Sequence, residues 1–195
     1  LTFQAVVKTV AQRNGLYADF SPKPLRHQPG NGFHINISVK GGNCEDPLSH
    51  MIAGILEHIP ELTVFLNPTV ASYERFGGPK APEYISWSNQ NRSQLIRVPA
   101  ALDEYRRAEL RSPDPTTNPY LAFALLIYAG LDGIQQKLPL PAPTDLNLFT
   151  ASADILALLQ RLPLTLREAA TLAANSSFVS KYLPKTIVQT YYDQR

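Results

Sequence analysis

The chain contains 195 residues, of which 44% are hydrophobic and 17% are charged, and its formal net charge is only +2. This composition excludes an intrinsically disordered chain, and because no run of lysines or arginines could follow a phosphate backbone, we expect no nucleic-acid partner. A single cysteine, Cys44, excludes an internal disulfide framework and favours a reducing compartment, so we expect a cytoplasmic protein.

The N-terminal residues predict an amphipathic helix that packs against the core, since four apolar residues recur at helical spacing: Phe3, Val6, Val7 and Val10. Asn14 and Gly15 are expected to end this helix. The chain starts with neither an initiator methionine nor the features of a signal peptide, and we therefore expect it to be a fragment of a longer protein.

A glycine-rich turn at 29–32 leads into a strand of strict alternation from Phe33 to Val39. The polar face of this strand carries His34, Asn36 and Ser38. A single histidine on a strand is more often a hydrogen-bonded structural residue than a metal ligand, so the pattern alone leaves both interpretations open. The glycines before the strand would let a ligand approach the backbone closely.

The middle of the chain predicts a core helix, a loop and a hairpin. The helix begins at Asp46 and is expected to kink or break at Pro60. Glycines and prolines at 76–82 predict a mobile surface loop. The segment 83–99 predicts a β-hairpin, because two alternating strand patterns flank a polar turn at 89–91.

The most distinctive stretch begins with a strand that places Arg107, Glu109 and Arg111 on one face. Alternating charges of this kind also occur on solvated sheet faces, so the pattern alone does not establish a site.

A helix should follow this strand, because Asn118 supplies an N-cap and Pro119 suits the first helical position. The residues at 120–131 are almost all apolar, which predicts burial on most sides, yet this run of about 12 is too short to span a membrane. Two further helices are expected near 153–162 and 166–174.

Several motifs together resemble those of the glutamine synthetase family. The chain contains RRAELR, then SPDPTTNPYLAFA and AGLDGI, and an upstream segment reads YISWSNQNRSQLIRVP. The resemblance extends from Phe3 to Phe149 and weakens after that. It implies an α+β fold in which an antiparallel sheet is backed by helices. It also implies that residues 1–195 are the C-terminal portion of the catalytic domain, with the N-terminal part of the parent protein absent.

The resemblance implies an enzyme that joins glutamate to ammonia with ATP, through a glutamyl phosphate. Such phosphoryl transfer depends on a divalent metal and on cations placed around the negative charge. A mixed set of histidine and carboxylate ligands favours Mg²⁺ or Mn²⁺. The family resemblance further implies a homo-oligomeric parent, in which upstream glutamates and a neighbouring subunit complete the site.

The resemblance also assigns roles to particular side chains. The metal ligands would be His34 and Glu109, and the catalytic residues would be Arg92 and Lys80. The nucleotide and phosphate ligands would be Asn36, Ser38, Arg92, Arg97 and Arg107. The residues that hold glutamate would be Gly30, Arg75 and Arg111.

The sequence departs from the family pattern at three positions. Asn36 stands where the family commonly has a second histidine near the nucleotide. Phe149 stands where some bacterial members carry a tyrosine that is adenylylated, so we expect no adenylylation there. Lys80 stands where the family's mobile loop carries a glutamate that closes over the site and helps to hold and deprotonate ammonium.

Three explanations of Lys80 are open at this point. The lysine could be solvated while Glu74 or Glu83 supplies the carboxylate, the parent could use another amine, or it could have lost the second half-reaction. The rival functions are therefore a glutamate ligase for another amine and a non-catalytic regulatory or structural relative. Against the non-catalytic relative, a scaffold has no need to keep like charges together.

Overall fold

The computed structural model describes residues 1–40, 44–78, 80–102 and 105–193. Within them, eight helices and four short strands follow one another along the chain. In order they are α1 Thr2–Arg13, β1 Ile35–Ile37, α2 Pro47–Leu66, α3 Val70–Tyr73, β2 Trp87–Ser88, β3 Ile96–Arg97, β4 Ala108–Leu110, α4 Pro119–Gln136, α5 Ala153–Leu156, α6 Leu166–Asn175, α7 Ser177–Tyr182 and α8 Lys185–Tyr192.

Helix α2 is the centre of the hydrophobic core, because apolar residues occupy most of its circumference and are buried. It packs against α4 and α6. The α2–α4 crossing is close because glycines meet there: a Cβ atom on Gly54 would lie 2.7 Å from the Cα atom of Gly133. Apolar side chains from the strands join the same core, so the helices back the sheet.

The sheet has the strand order β1-β4-β3-β2. Strand β4 pairs antiparallel with both β1 and β3, and Glu109 lies opposite Asn36 on one side and Arg97 on the other. Strands β2 and β3 pair in parallel. The α+β class is therefore confirmed, while the sheet is mixed and the predicted hairpin over 83–99 is wrong.

The hairpin fails because the connection between β2 and β3 is held by contacts that are remote in sequence. Asn91 first forms a local turn, in which its Oδ1 accepts from the Ser93 backbone N at 3.0 Å. The Gln94 amide then donates to the backbone O atoms of Thr144 at 2.6 Å and Leu146 at 2.7 Å. These bonds draw the chain toward the 144–146 segment, and β3 enters the sheet in the same direction as β2.

Three predictions for the helices also need correction. Helix α1 contributes no buried residue, and Phe3 is 72% exposed, so its apolar face is not part of the core. Helix α4 buries one face on α2 and exposes another, which includes Tyr120, Phe123 and Ile127. Of the kink or break expected at Pro60, the break is absent, because Pro60 lies inside α2.

The C-terminal region differs from its prediction in one helix. The helix expected near 153–162 is a single turn, α5, whereas the helix expected near 166–174 is present as α6. Among the residues that the structure describes, no helix is long and apolar enough to cross a membrane.

Candidate active site

Glu109 lies at the centre of the polar cluster on the sheet. Its Oε1 accepts from Arg111 Nη1 at 3.0 Å and lies 2.9 Å from His34 Nδ1, while its Oε2 accepts from Arg97 Nε at 2.6 Å. The Glu109 side chain is only 10% exposed. Strand β4 places this carboxylate between β1 and β3, so three elements contribute to one cluster.

The charges of this cluster follow from its contacts. Burial alone would raise the pKa of Glu109, but the hydrogen bond from Arg97 and the charge of Arg111 outweigh it, and the pKa falls below 4.5. Burial lowers the pKa of His34, and Arg111 lowers it further against the opposing effect of Glu109. At neutral pH the site therefore holds an ionised carboxylate beside a neutral imidazole.

A cavity of about 380 Å³ opens over this cluster, and we call it the arginine cavity. Its lining residues are His34, Lys80, Arg92, Arg97, Glu109, Arg111 and Phe149. Its described lining residues include three arginines and one lysine but a single carboxylate residue, so its walls favour an anionic ligand.

A second cavity of about 240 Å³ adjoins the first, and we call it the glycine cavity. Its lining residues are Gly30, Asn31, Gly32, His34, Arg75, Lys80 and Ala81. His34 and Lys80 line both cavities, so the two spaces meet at these side chains.

Among the described residues that line the glycine cavity, Arg75 is the only strongly buried cation, at 2% exposure. Its Nη1 donates to the backbone O of Ser112 at 3.0 Å and lies 3.8 Å from Asp114 Oδ2. Its Nε is buried and has no hydrogen-bond partner among the described residues. A buried donor without a partner favours a bound acceptor.

Gly30 is the residue that lets the cavity wall come close to Arg75. A Cβ atom at this position would lie 2.7 Å from Arg75 Cγ and would collide with the backbone O of Pro22. Only glycine therefore fits against the Arg75 side chain at this point of the turn.

The structure brings together most of the side chains that the sequence singled out, though not all. Asn36 and Arg107 form a separate pair, in which Arg107 Nε donates to Asn36 Oδ1 at 3.1 Å. Ser38 is exposed beyond the end of β1, and none of these three residues lines either cavity.

The loop that carries Lys80 is held at both ends. Gly77 N donates to Ala81 O at 3.0 Å, Ala81 N donates to Gly78 O at 3.1 Å, and Ala81 is buried. Glu83 lies 3.8 Å from Arg161 at another small pocket, and Glu74 lines a groove with α6. Neither glutamate lines the arginine or glycine cavity, so the explanation in which one of them replaces the loop carboxylate finds no support in this arrangement.

Phe149, which lacks the hydroxyl group of an adenylylated tyrosine, also lines the arginine cavity, a position that the sequence does not predict. The segment before it is clamped to the loop of Arg92, since Asn91 Nδ2 donates to Leu146 O at 2.9 Å and Leu148 N donates to Ser93 Oγ at 2.9 Å. Asn31 and Gly32 also line the site without having been singled out; their place in the glycine-rich turn was the available signal.

The chemistry of His34 and Glu109 fits a divalent cation, because a neutral imidazole and an ionised carboxylate are both metal donors and lie side by side. The described ranges contain no group of three or more such donors, and these cations take about six ligands. The described residues therefore offer only part of a metal site.

Comparison with known proteins agrees with this geometry. The chain matches the family described as glutamine synthetase, catalytic domain, over residues 1–195. The chain belongs to this family. A glutamine synthetase of Methanosarcina mazei is 43% identical over 206 aligned residues, which cover 98% of this chain and 46% of the relative. A glutamine synthetase of Pyrococcus abyssi is 48% identical over 159 residues, covering 76% of this chain and 36% of the relative.

Solved structures agree with the sequence relatives. The structure of a GmaS/ADP complex superposes with a TM-score of 0.85 at 30% identity, covering 98% of this chain and 47% of that chain. GmaS without ligand gives a TM-score of 0.83 at 29% identity. The chain thus has the fold of the glutamine synthetase family and spans less than half the length of these relatives.

Proposed function

We propose that this chain is the C-terminal portion of the catalytic domain of an ATP-dependent ligase that joins glutamate and ammonia to form glutamine. The observation that carries the proposal is the meeting of two cavities at His34 and Lys80, one rich in arginines and one containing a buried, incompletely bonded arginine. A carboxylate substrate that must be phosphorylated needs one space that binds the substrate and an adjoining cationic space that binds the phosphoryl group.

The glycine cavity would hold the amino acid. Arg75 and Gly30 both line this cavity, so the guanidinium group of Arg75 would donate to a substrate carboxylate beside the backbone of Gly30. Arg111, whose Nε donates to Arg92 O at 3.2 Å, stands in the arginine cavity, and its predicted role in holding glutamate would be played from there. The side-chain carboxylate of glutamate would then point toward the arginines.

The arginine cavity would hold the phosphoryl group during transfer. ATP phosphorylates the glutamate side chain to an acyl phosphate and leaves as ADP; ammonia then attacks the acyl carbon and phosphate departs. Arg92 and Arg97 would stabilise the negative charge in both steps. Asn36 on the edge strand β1, Ser38 just beyond it and Arg107 next to β4 would contact the nucleotide from outside this cavity.

His34 and Glu109 would supply two ligands of a divalent cation, Mg²⁺ or Mn²⁺, which when bound neutralises phosphate charge. The other ligands would come from the part of the parent protein outside this chain. A neighbouring subunit of a homo-oligomeric, cytoplasmic parent would complete the site. Neither a nucleic acid nor a membrane has a role in this proposal.

A second candidate function is a glutamate ligase for a different amine, and Lys80 is the observation that favours it. A lysine at the wall shared by both cavities cannot form an ion pair with ammonium, because like charges about 4 Å apart repel by about 4 kcal/mol at an effective dielectric of about 20. A non-catalytic relative remains the third alternative.

The test uses the full-length parent protein with ATP, glutamate, a divalent cation and a panel of amines. We expect phosphate release that requires glutamate and an amine, with glutamine formed in equal amount when the amine is ammonium. Release with larger amines alone would select the second candidate. No glutamate-dependent phosphate release with any amine would overturn the ligase proposal.

A matched pair of variants tests the role of Arg75. We expect Arg75→Lys to raise the KM for glutamate by about tenfold or more, because lysine lacks the planar guanidinium fork that matches a carboxylate. Arg167→Lys, a change at an exposed arginine of α6, should leave this KM unchanged. Equal KM values for the two variants would contradict the placement of glutamate beside Arg75.

A further inference from the structure

Lys80 has an unusual backbone for its residue type. Its φ angle is 73°, in the left-handed region that glycine adopts freely and other residues rarely do. The flanking residues fix this conformation, because Gly77 and Gly78 exchange backbone hydrogen bonds with Ala81. Strain of this kind persists where the surrounding structure imposes it, and it is concentrated at functional sites.

The strained turn places Lys80 at a specific position. Lys80 lines both the arginine cavity and the glycine cavity, and among the described residues only His34 shares that position. Lys80 thus belongs to the wall between the two spaces, although it is also exposed to solvent.

The charges around Lys80 are not balanced within the described ranges. Both oxygens of Glu109 already accept hydrogen bonds from Arg97 and Arg111, and no other carboxylate is among the described residues that line the arginine cavity. The two remaining cations, Lys80 and Arg92, have no ion pair to a described residue through their side chains. Like charges gathered without a counter-ion favour the binding of an anion.

We propose that Lys80 is an anion-binding residue that, together with Arg92, binds a phosphate group where the two cavities meet. Its ligand class is a phosphate monoanion or dianion, or a phosphoryl group carried by a substrate. In the ligase described above this group would be the acyl phosphate, so the identity of the natural ligand rests on the proposed function. The capacity to bind inorganic phosphate does not.

The inference gives Lys80 a role different from that of a carboxylate in the same loop. A cation at this place stabilises the phosphoryl group and repels ammonium, so the nitrogen donor would have to approach uncharged or from another side. The loop therefore acts on the phosphate of the reaction rather than on the amine.

The experiment measures the affinity of the full-length protein for inorganic phosphate by calorimetric titration. We expect K80Q to bind phosphate about tenfold more weakly, the loss of one charge-assisted hydrogen bond. K80R keeps the charge and should stay close to wild type. K80G relaxes the backbone but removes the charge, so it should bind as weakly as K80Q.

The matched control is Lys137, another lysine with a positive φ angle, 51°, which caps α4 and lines neither cavity. K137Q should bind phosphate like wild type. The inference is overturned if wild type does not bind phosphate, if K80Q and K80G bind it as well as wild type, or if K137Q is as weak as K80Q.

These outcomes are separable from those of the ligase test, because phosphate binding needs no turnover. Lys80-dependent phosphate binding in a protein that makes no glutamine would reject the proposed function and keep this inference. Glutamine synthesis by a protein whose phosphate affinity is the same in wild type and K80Q would support the proposed function and reject this inference.

Discussion

Glu109 is the residue on which the candidate site depends most. One carboxylate accepts from two guanidinium groups and contacts an imidazole, and each of these partners comes from a different position along the chain. Removing its charge would leave Arg97 and Arg111 close together without a counter-ion. Removing one partner of a buried ion pair destabilises the fold by more than the intact pair stabilises it, because the other charge stays buried without a partner.

We expect Glu109→Gln to lower the free energy of unfolding of the full-length protein by about 3 kcal/mol at pH 7. The folded-state pKa of Glu109 lies below its unfolded value of 4.5, so its contribution is present above pH 4.5 and is lost as the pH falls through the folded pKa. The difference in the free energy of unfolding between wild type and Glu109→Gln, measured by denaturant titration, should therefore become smaller as the pH falls below 4.5.

The control for this change is Glu57→Gln, which alters an exposed carboxylate on α2. Its effect should stay within about 0.5 kcal/mol. A Glu109→Gln protein as stable as this control at pH 7 would show that the three contacts contribute little.

At the scale of single residues, the sequence predicted which side chains belong to the candidate site better than it predicted the contacts that they make. Alternation along the strand predicted Arg107, Glu109 and Arg111 on one face; Glu109 and Arg111 lie in one cluster, whereas Arg107 pairs with Asn36. The pairing of His34 with Glu109 spans 75 positions, so it followed from the family resemblance and not from any local pattern. The free Nε of Arg75 could not be predicted at all, because it depends on which acceptors surround a buried group.

At the scale of elements, local signals succeeded where the determining contact is local. Asn118 caps α4 as predicted, with its Oδ1 accepting from Tyr120 N at 3.0 Å. The apolar stripe of α1 predicted an amphipathic helix but could not show what its apolar face packs against. That face is exposed. The β2–β3 connection failed because its amide hydrogen bonds end some 50 positions away, at Thr144 and Leu146.

His58 joins three helices and should make their packing depend on pH. On α2, its Nδ1 lies 2.7 Å from Glu61 Oε1, its Nε2 lies 3.0 Å from Asp132 Oδ2 on α4, and its ring stacks on Phe178 of α7 at 3.7 Å. Burial alone would lower the pKa of His58, but the hydrogen bonds to Glu61 and Asp132 outweigh it and raise the pKa above 6.5.

We expect His58→Asn to destabilise the full-length protein most below pH 6.5. A group whose folded pKa is raised contributes stability that is fully present below its unfolded pKa and is lost as the pH rises through the folded value. The loss in melting temperature relative to wild type should therefore decrease above pH 6.5.

The control is His27→Asn, which removes an exposed imidazole from the segment before the glycine-rich turn. Its effect on the melting temperature should be small across the same pH range. A His58→Asn effect that is constant with pH would mean that stacking on Phe178, and not the paired charges, holds the three helices.

At the scale of the whole molecule, the described part of the chain holds a candidate metal-binding cluster that it does not complete. It spans 46% of the Methanosarcina mazei relative, and His34 and Glu109 are two donors where a divalent cation takes about six ligands. Exposed apolar faces on α1 and α4 accompany this partial site.

We expect the 195-residue polypeptide by itself to bind Mn²⁺ more weakly than micromolar, because two protein ligands leave most coordination positions to water. Calorimetric titration should give nearly the same weak binding for the wild-type polypeptide and for His34→Ala. Micromolar binding that disappears in His34→Ala would show that these residues form a more complete site.

The strand order has a consequence for the order of folding. Helices α2 and α4 are stabilised by hydrogen bonds between near neighbours, so each can begin to form early. His34 and Glu109, by contrast, meet only when β1 pairs with β4 across 75 positions, and closing so long a segment costs entropy that only long-range contacts repay. The residues proposed to bind metal and phosphate would therefore assemble among the last events of folding, after the helical core that supports them.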